Sequence, residues 1–191
     1  FDSSPNRLIG TFHYYNPWSF TSSSSDSNNT ESWGTNADKS TVDSHFNTVK
    51  NWSETNNIPV TLGEFGADNE SGYNYNTGLY GNNGGPVNSS RVEYHRYIAE
   101  QAINRGFSFS AWCAGNKSTK TIHLRTDNPE TNNVYQGVWV EDVKNALLSD
   151  GVWPTCYGPY NEEIIRNPDF ECGISSQWSF SVQGSAEAFL D

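Results

Sequence analysis

Three short apolar runs alternate with three stretches of helical periodicity along the first 150 residues. "RLIGTFHYY" (7–15), "IPVTLGEFG" (58–66) and "GFSFSAWCA" (106–114) are each bounded by Pro, Gly or Asn and predict strands. After the first run, Val42, Phe46, Val49 and Trp52 recur near helical spacing, with Ser40 as the expected N-cap and Asp43 three residues on. After the second, Ser90 and Glu93 read as a capping box, Ile98, Ala99 and Ala102 as a buried face, and Gly106 as a stop. After the third, Val140, Val143 and Leu147 share one face before Gly151.

The pattern is βαβαβα, which builds a parallel sheet covered by helices, either doubly wound or closed as a (β/α)8 barrel. Three strands do not close a barrel. The long connections, 16–40, 67–89 and 115–137, all follow strands, as they do in barrel enzymes, whose sites lie in those loops. The expected fold class is therefore α/β, about three βα units from the C-terminal part of a (β/α)8 TIM barrel over residues 1–151, followed by a truncated all-β segment. Residues 152–163, "VWPTCYGPYNEE", read as a linker, and 164–191 alternate polar and apolar positions like the first strands of a β-sandwich. The chain starts at Phe1, holds no Met, and ends on "SAEAFLD", so we expect it to be a piece of a longer polypeptide.

Composition narrows the partners. A net charge of −11 disfavours nucleic acid and anionic membranes, both of which call for a basic face. No run approaches the roughly 18 apolar residues of a membrane span. Asn, Ser, Thr, Tyr and Trp suit a hydroxyl-rich ligand, and equally a solvated surface. Of Cys113, Cys156 and Cys172, only Cys156 and Cys172 have the spacing of a local disulfide loop. His45, His95 and His123 show no metal-site spacing, and no cofactor is expected.

The candidate chemistry gathers at strand ends. Glu64, between Gly63 and Gly66, stands where a parallel strand presents a carboxylate as nucleophile or base, although a strand-end Glu can also pair with a helix Arg. Period-two alternation sends His13 and Tyr15 to one side and Tyr14 to the other. A His and a Tyr there can hydrogen-bond a carboxylate and fix its ionisation, or form an aromatic plug. Trp112 holds the matching position on the third strand, where an indole stacks on a pyranose or fills a core. Trp18, Trp33 and Trp139 carry the same two readings.

"TFHYYNPWSFT", "IPVTLGEFGA" and "RGFSFSAW", in that order and spacing, resemble the sixth, seventh and eighth strands of glycoside hydrolase family 5, the endoglucanase and mannanase family. The resemblance spans about residues 7 to 150. It implies Glu64 as catalytic nucleophile, His13 and Tyr15 as its hydrogen-bonding neighbours, Trp112 as a sugar-stacking wall, and Trp33, in "ESWGT", as a loop Trp that stacks on substrate. Trp18 lies in the same loop on the expected site side and is a further substrate-binding candidate. The acid/base Glu that the family carries on its fourth strand has no counterpart here, so the 191 residues alone are expected to be inactive. The loop 68–90 is longer than usual and rich in Tyr and Gly; it either lines extra subsites or is a surface insertion. Residues 167–188 resemble the opening of β-sandwich carbohydrate-binding modules. The implied function is a retaining endo-β-1,4-glucanase acting outside the cell on a β-linked polysaccharide. A β-mannanase, a xyloglucanase or a non-catalytic polysaccharide binder are the alternatives.

Overall fold

The computed structural model describes residues 8–115, 118–124 and 137–148. The chain divides at Gly151/Val152 into two units. The linker, the β-sandwich reading, Cys156 and Cys172 lie outside the described residues. Strands β1 (Gly10–Tyr14), β2 (Val60–Phe65) and β3 (Ser108–Ala111) form one parallel sheet in the order β1-β2-β3. Between them run a short helix α1 (Trp18–Thr21), the long α2 (Asn36–Asn56) and α3 (Asn88–Asn104). The loop after β3 is not plain coil as the sequence suggested. It forms a small antiparallel pair, β4 (His123–Leu124) with β5 (Val138–Trp139), before α4 (Glu141–Leu148).

The sheet is hydrophobic on one face only. Phe12, Tyr14, Leu62, Phe65 and Phe109 pack against Phe46 of α2, Tyr94 and Ile98 of α3, and Phe107. The opposite face carries Thr11, His13, Thr61, Glu64 and Ser108, with Ser108 Oγ donating to Thr61 Oγ1 at 2.8 Å. A single irregularity sorts β2 between the two faces. Phe12 aligns with Leu62, but His13 aligns with Glu64, so Gly63 is the extra residue of a β-bulge. Strict alternation would have put Glu64 on the face of Leu62. Glycine fits the bulge because a Cβ at 63 would stand 2.5 Å from Thr11 Oγ1.

Two helix starts differ from the sequence reading. α2 begins a turn before Ser40, capped by Thr35, whose hydroxyl accepts from Asp38 N while the Asp38 carboxylate accepts from Thr35 N: a full capping box. α3 begins after Val87, so Ser90 and Glu93 lie inside it. Both are engaged elsewhere: Ser90 Oγ accepts from Trp33 N at 3.0 Å, and Glu93 pairs with Lys39 of α2 and Arg96. The expected end holds. Gly106 N donates to Ile103 O and Phe107 N to Ala102 O, a Schellman closure around a glycine at φ +77°.

His95 lies in the core behind this sheet, fully buried, with Nδ1 donating to Arg91 O at 2.8 Å. Burial, reinforced by the charge of Arg91, pushes its pKa down to about 3. The unfolded chain therefore takes up a proton below about pH 6.5 that the native state refuses, and stability falls as pH drops from there towards 3. The slope is at most about 1.4 kcal/mol per pH unit. His95→Gln should lose that slope, so urea midpoints of wild type and variant measured at pH 7, 5 and 4 should converge. Parallel acid profiles would show that His95 does not resist protonation.

Candidate active site

β1 and β2 deliver their carboxyl-terminal residues to one place. Tyr15 OH donates to Glu64 Oε2 at 3.0 Å, and His13 Nδ1 lies 3.4 Å from the same oxygen. The carboxylate is partly covered, at 32% side-chain exposure, while His13 remains half open at 52%. Burial, with the Glu64 hydrogen bond and charge beside it, pushes the Tyr15 phenol well above its ordinary range, so Tyr15 acts as a donor at any working pH. Tyr14 points the other way and bonds His45 Nδ1 at 3.1 Å.

Trp112 follows β3 directly, and its backbone N–H donates to Phe65 O at 2.8 Å, which ties the backbone at Trp112 to the residue after Glu64. The Trp112–Cys113 peptide is cis. A Cβ on Gly66 would stand 2.6 Å from the Trp112 carbonyl oxygen, so this approach depends on glycine. The indole is 44% exposed, open enough to receive a ligand. Trp18 is 60% exposed, with its ring 6.5 Å from that of Tyr15.

Trp33 is a correction. It is 6% exposed, enclosed by Phe20, Tyr94 and Tyr97, so in this chain it is a core residue and offers no face to a sugar. Trp139 is surface-exposed and rests against His123, centroids 4.6 Å apart. Among the described residues no group of three or more His, Cys, Asp or Glu could hold a metal ion, and no helix is long and apolar enough to cross a membrane.

The sequence reading missed a buried polar hub just beyond Glu64. Asp68, with no exposed surface, accepts from Ser24 N at 2.9 Å, Ser24 Oγ at 2.5 Å, Thr119 Oγ1 at 2.7 Å and Lys120 Nζ at 2.7 Å. Its own N–H donates to Thr21 O. Next to it, Arg91 Nη2 of α3 donates to Asn69 Oδ1 and Thr121 O. Loops following all three strands are therefore joined at the end of the sheet that carries Glu64. In the β2 loop, Tyr73 contacts both Tyr75 and Tyr80, with centroids 5.0 and 5.1 Å apart, and Tyr80 is exposed.

Comparison with known proteins gives the family to which this fold belongs. The family model for Cellulase (glycosyl hydrolase family 5) matches residues 2–118. Endoglucanase H of Acetivibrio thermocellus is 34% identical over 148 residues, covering 78% of this chain and 14% of its own. Endoglucanase A of Clostridium longisporum is 30% identical over 145 residues, 74% of this chain and 24% of its own. The chain thus spans a quarter or less of the length of these curated relatives. Among solved structures, a GH5-4 broad specificity endoglucanase from Clostridium longisporum superposes with a TM-score of 0.53 at 27% identity, covering 76% of this chain and 37% of that one. The chain belongs to glycosyl hydrolase family 5, and its three parallel strands with their helices are part of that family's α/β barrel.

Proposed function

We propose that the polypeptide carrying these residues is a retaining endo-β-1,4-glucanase, secreted to reach its polymer, with Glu64 as nucleophile. Residues 1–151 would supply the last three βα units of the catalytic barrel, 152–163 a linker, and 164–191 the start of a carbohydrate-binding module. The observation that supports this most directly is the convergence of Tyr15 and His13 on Glu64 Oε2. Both contacts use one oxygen, which leaves Oε1 to attack.

In this reading Glu64 attacks the anomeric carbon as the glycosidic C–O bond breaks. The leaving oxygen takes its proton from a second carboxyl group, roughly 5 Å away, on another strand of the barrel. Water, deprotonated by that second group, then displaces Glu64. Tyr15 donates to Oε2 throughout and holds the carboxylate in its attacking orientation. Trp112 and Trp18 give flat apolar faces for neighbouring pyranose rings, and the Tyr73–Tyr75–Tyr80 cluster extends the aromatic surface along the β2 loop. The 191 residues alone, without the second carboxyl group, would not turn over substrate.

The related broad specificity endoglucanase favours a second reading within the same chemistry, in which xyloglucan or mannan is also cut. The test follows the anomeric configuration of the first product by proton NMR, using the intact polypeptide with cellohexaose, xyloglucan and mannan oligosaccharides. The β-anomer should form first, with cellohexaose at the highest kcat/KM. Initial release of the α-anomer would exclude retention, and hence a covalent role for Glu64.

A further inference from the structure

We infer that the buried Asp68–Lys120 ion pair is a positioning device for Trp18, fixing the indole as a sugar platform beside Glu64. The inference rests on the proposed reading of the cleft. Lys120 Nζ has three neighbours: Asp68 Oδ1 at 2.7 Å, Ser22 Oγ at 3.0 Å, and the Trp18 ring, with its centroid 5.9 Å away. The lysine is 12% exposed and Asp68 not at all, so the ammonium is held by its anion and has little freedom to swing into water. Trp18, by contrast, is 60% exposed and lies on a four-residue helix with no side-chain cap, which alone constrains an indole poorly.

The contacts close a ring around the cleft. Glu64 Oε2 is bonded by Tyr15, whose ring meets Trp18; Trp18 meets Lys120; Lys120 meets Asp68; and Asp68 follows Glu64 by four residues on the same chain segment. A second branch runs through the backbone: Asp68 N donates to Thr21 O, and Thr21 Oγ1 donates to Tyr15 O at 2.7 Å. The cation over the indole adds a directional attraction to the π face. Its position over one face leaves the exposed remainder of the ring for a pyranose. The chemistry served is stacking of a neutral sugar rather than charge recognition, since the ammonium is already committed to Asp68.

The test is a double-mutant cycle in the intact polypeptide, with cellohexaose as substrate, using Lys120→Met, Lys120→Gln and Trp18→Ala. Lys120→Gln is included because it keeps a donor towards Asp68 and removes only the charge, should Lys120→Met fold poorly. Each Lys120 variant should raise KM about fivefold and change kcat less, and Lys120→Arg should restore most of the loss. In the Trp18→Ala background the Lys120 variants should add nothing further to KM. Equal KM effects in the two backgrounds, or a fall in kcat at constant KM, would overturn the inference. A ligand-free arm separates it from the functional reading. With 5-fluorotryptophan incorporated, the Trp18 fluorine resonance, identified by its loss in Trp18→Phe, should broaden in Lys120→Gln while that of buried Trp33 stays put. A sharp, unmoved Trp18 signal refutes positioning. Broadening without any effect of Trp18→Ala on turnover leaves positioning standing and removes Trp18 from the proposed cleft.

Discussion

Glu64→Gln, in the intact polypeptide, is expected to lower kcat on cello-oligosaccharides by on the order of 10⁴-fold or more while leaving affinity within about tenfold. The amide is isosteric, and its oxygen still accepts the Tyr15 hydrogen bond that Oε2 now receives at 3.0 Å. What it lacks is nucleophilicity, so the loss should fall on kcat rather than on KM. Glu64→Ala makes a sharper companion. The space vacated by the carboxylate admits a small anion, and added azide should restore turnover by attacking the anomeric carbon from the face Glu64 used, giving an α-glycosyl azide. A β-glycosyl azide would instead place Glu64 on the leaving-group side, as the proton donor. Residual activity of Glu64→Gln within tenfold of wild type would remove Glu64 from the chemical step altogether.

Asp68→Ala carries the second large expectation, on stability. Asp68 is fully buried and satisfies four donors, one of them the ammonium of Lys120. Removing one partner of a buried ion pair leaves the other charge uncompensated, at a cost of about 3–5 kcal/mol. Ser24 and Thr119 lose their acceptor as well. The intact polypeptide should show a matching drop in urea-unfolding free energy and a fall in Tm on the order of 10 °C. Asp68→Leu combined with Lys120→Met should recover much of that loss, because an apolar pair needs no compensation in a dry site. A loss below about 1 kcal/mol for Asp68→Ala would mean that water reaches Lys120 and screens the pair.

Glu64, His13 and Tyr15 could be named from the chain because each stands at a strand end, and strand ends are marked by glycine, proline and the change of periodicity. Their meeting on one oxygen needed more than parallel register, because only the bulge at Gly63 turns Glu64 to the face of His13, and periodicity does not reveal it. Trp33 was different. "ESWGT" has the composition of an exposed loop, yet Ser90 binds its backbone and Tyr94 and Tyr97 enclose its ring, all three from a helix more than fifty residues away. Asp68 gave no local signal either, since its partners come from two other loops. The capping error at α2 had a local cause: Thr35–Asp38 and Ser40–Asp43 both have the spacing of a box, and the earlier pair captures the chain first, extending the helix by a turn. The β4–β5 pair, two residues on each strand, is too short for any periodicity to register.

The bulge at Gly63 divides β2 into two segments of opposite phase. Before it, even-numbered residues face the helices, Val60 and Leu62; after it, the odd-numbered Phe65 does. One residue thus decides whether position 64 belongs to the core or to the cleft. Loops at this rim can lengthen or shorten without touching that assignment, but a side chain at 63 that drew the strand back into regular alternation would turn a carboxylate into hydrocarbon and bring a phenylalanine out to the cleft. Variation in this part of the barrel is therefore free in loop length and locked in strand parity, so changes of specificity have open ground around Glu64 but none beneath it.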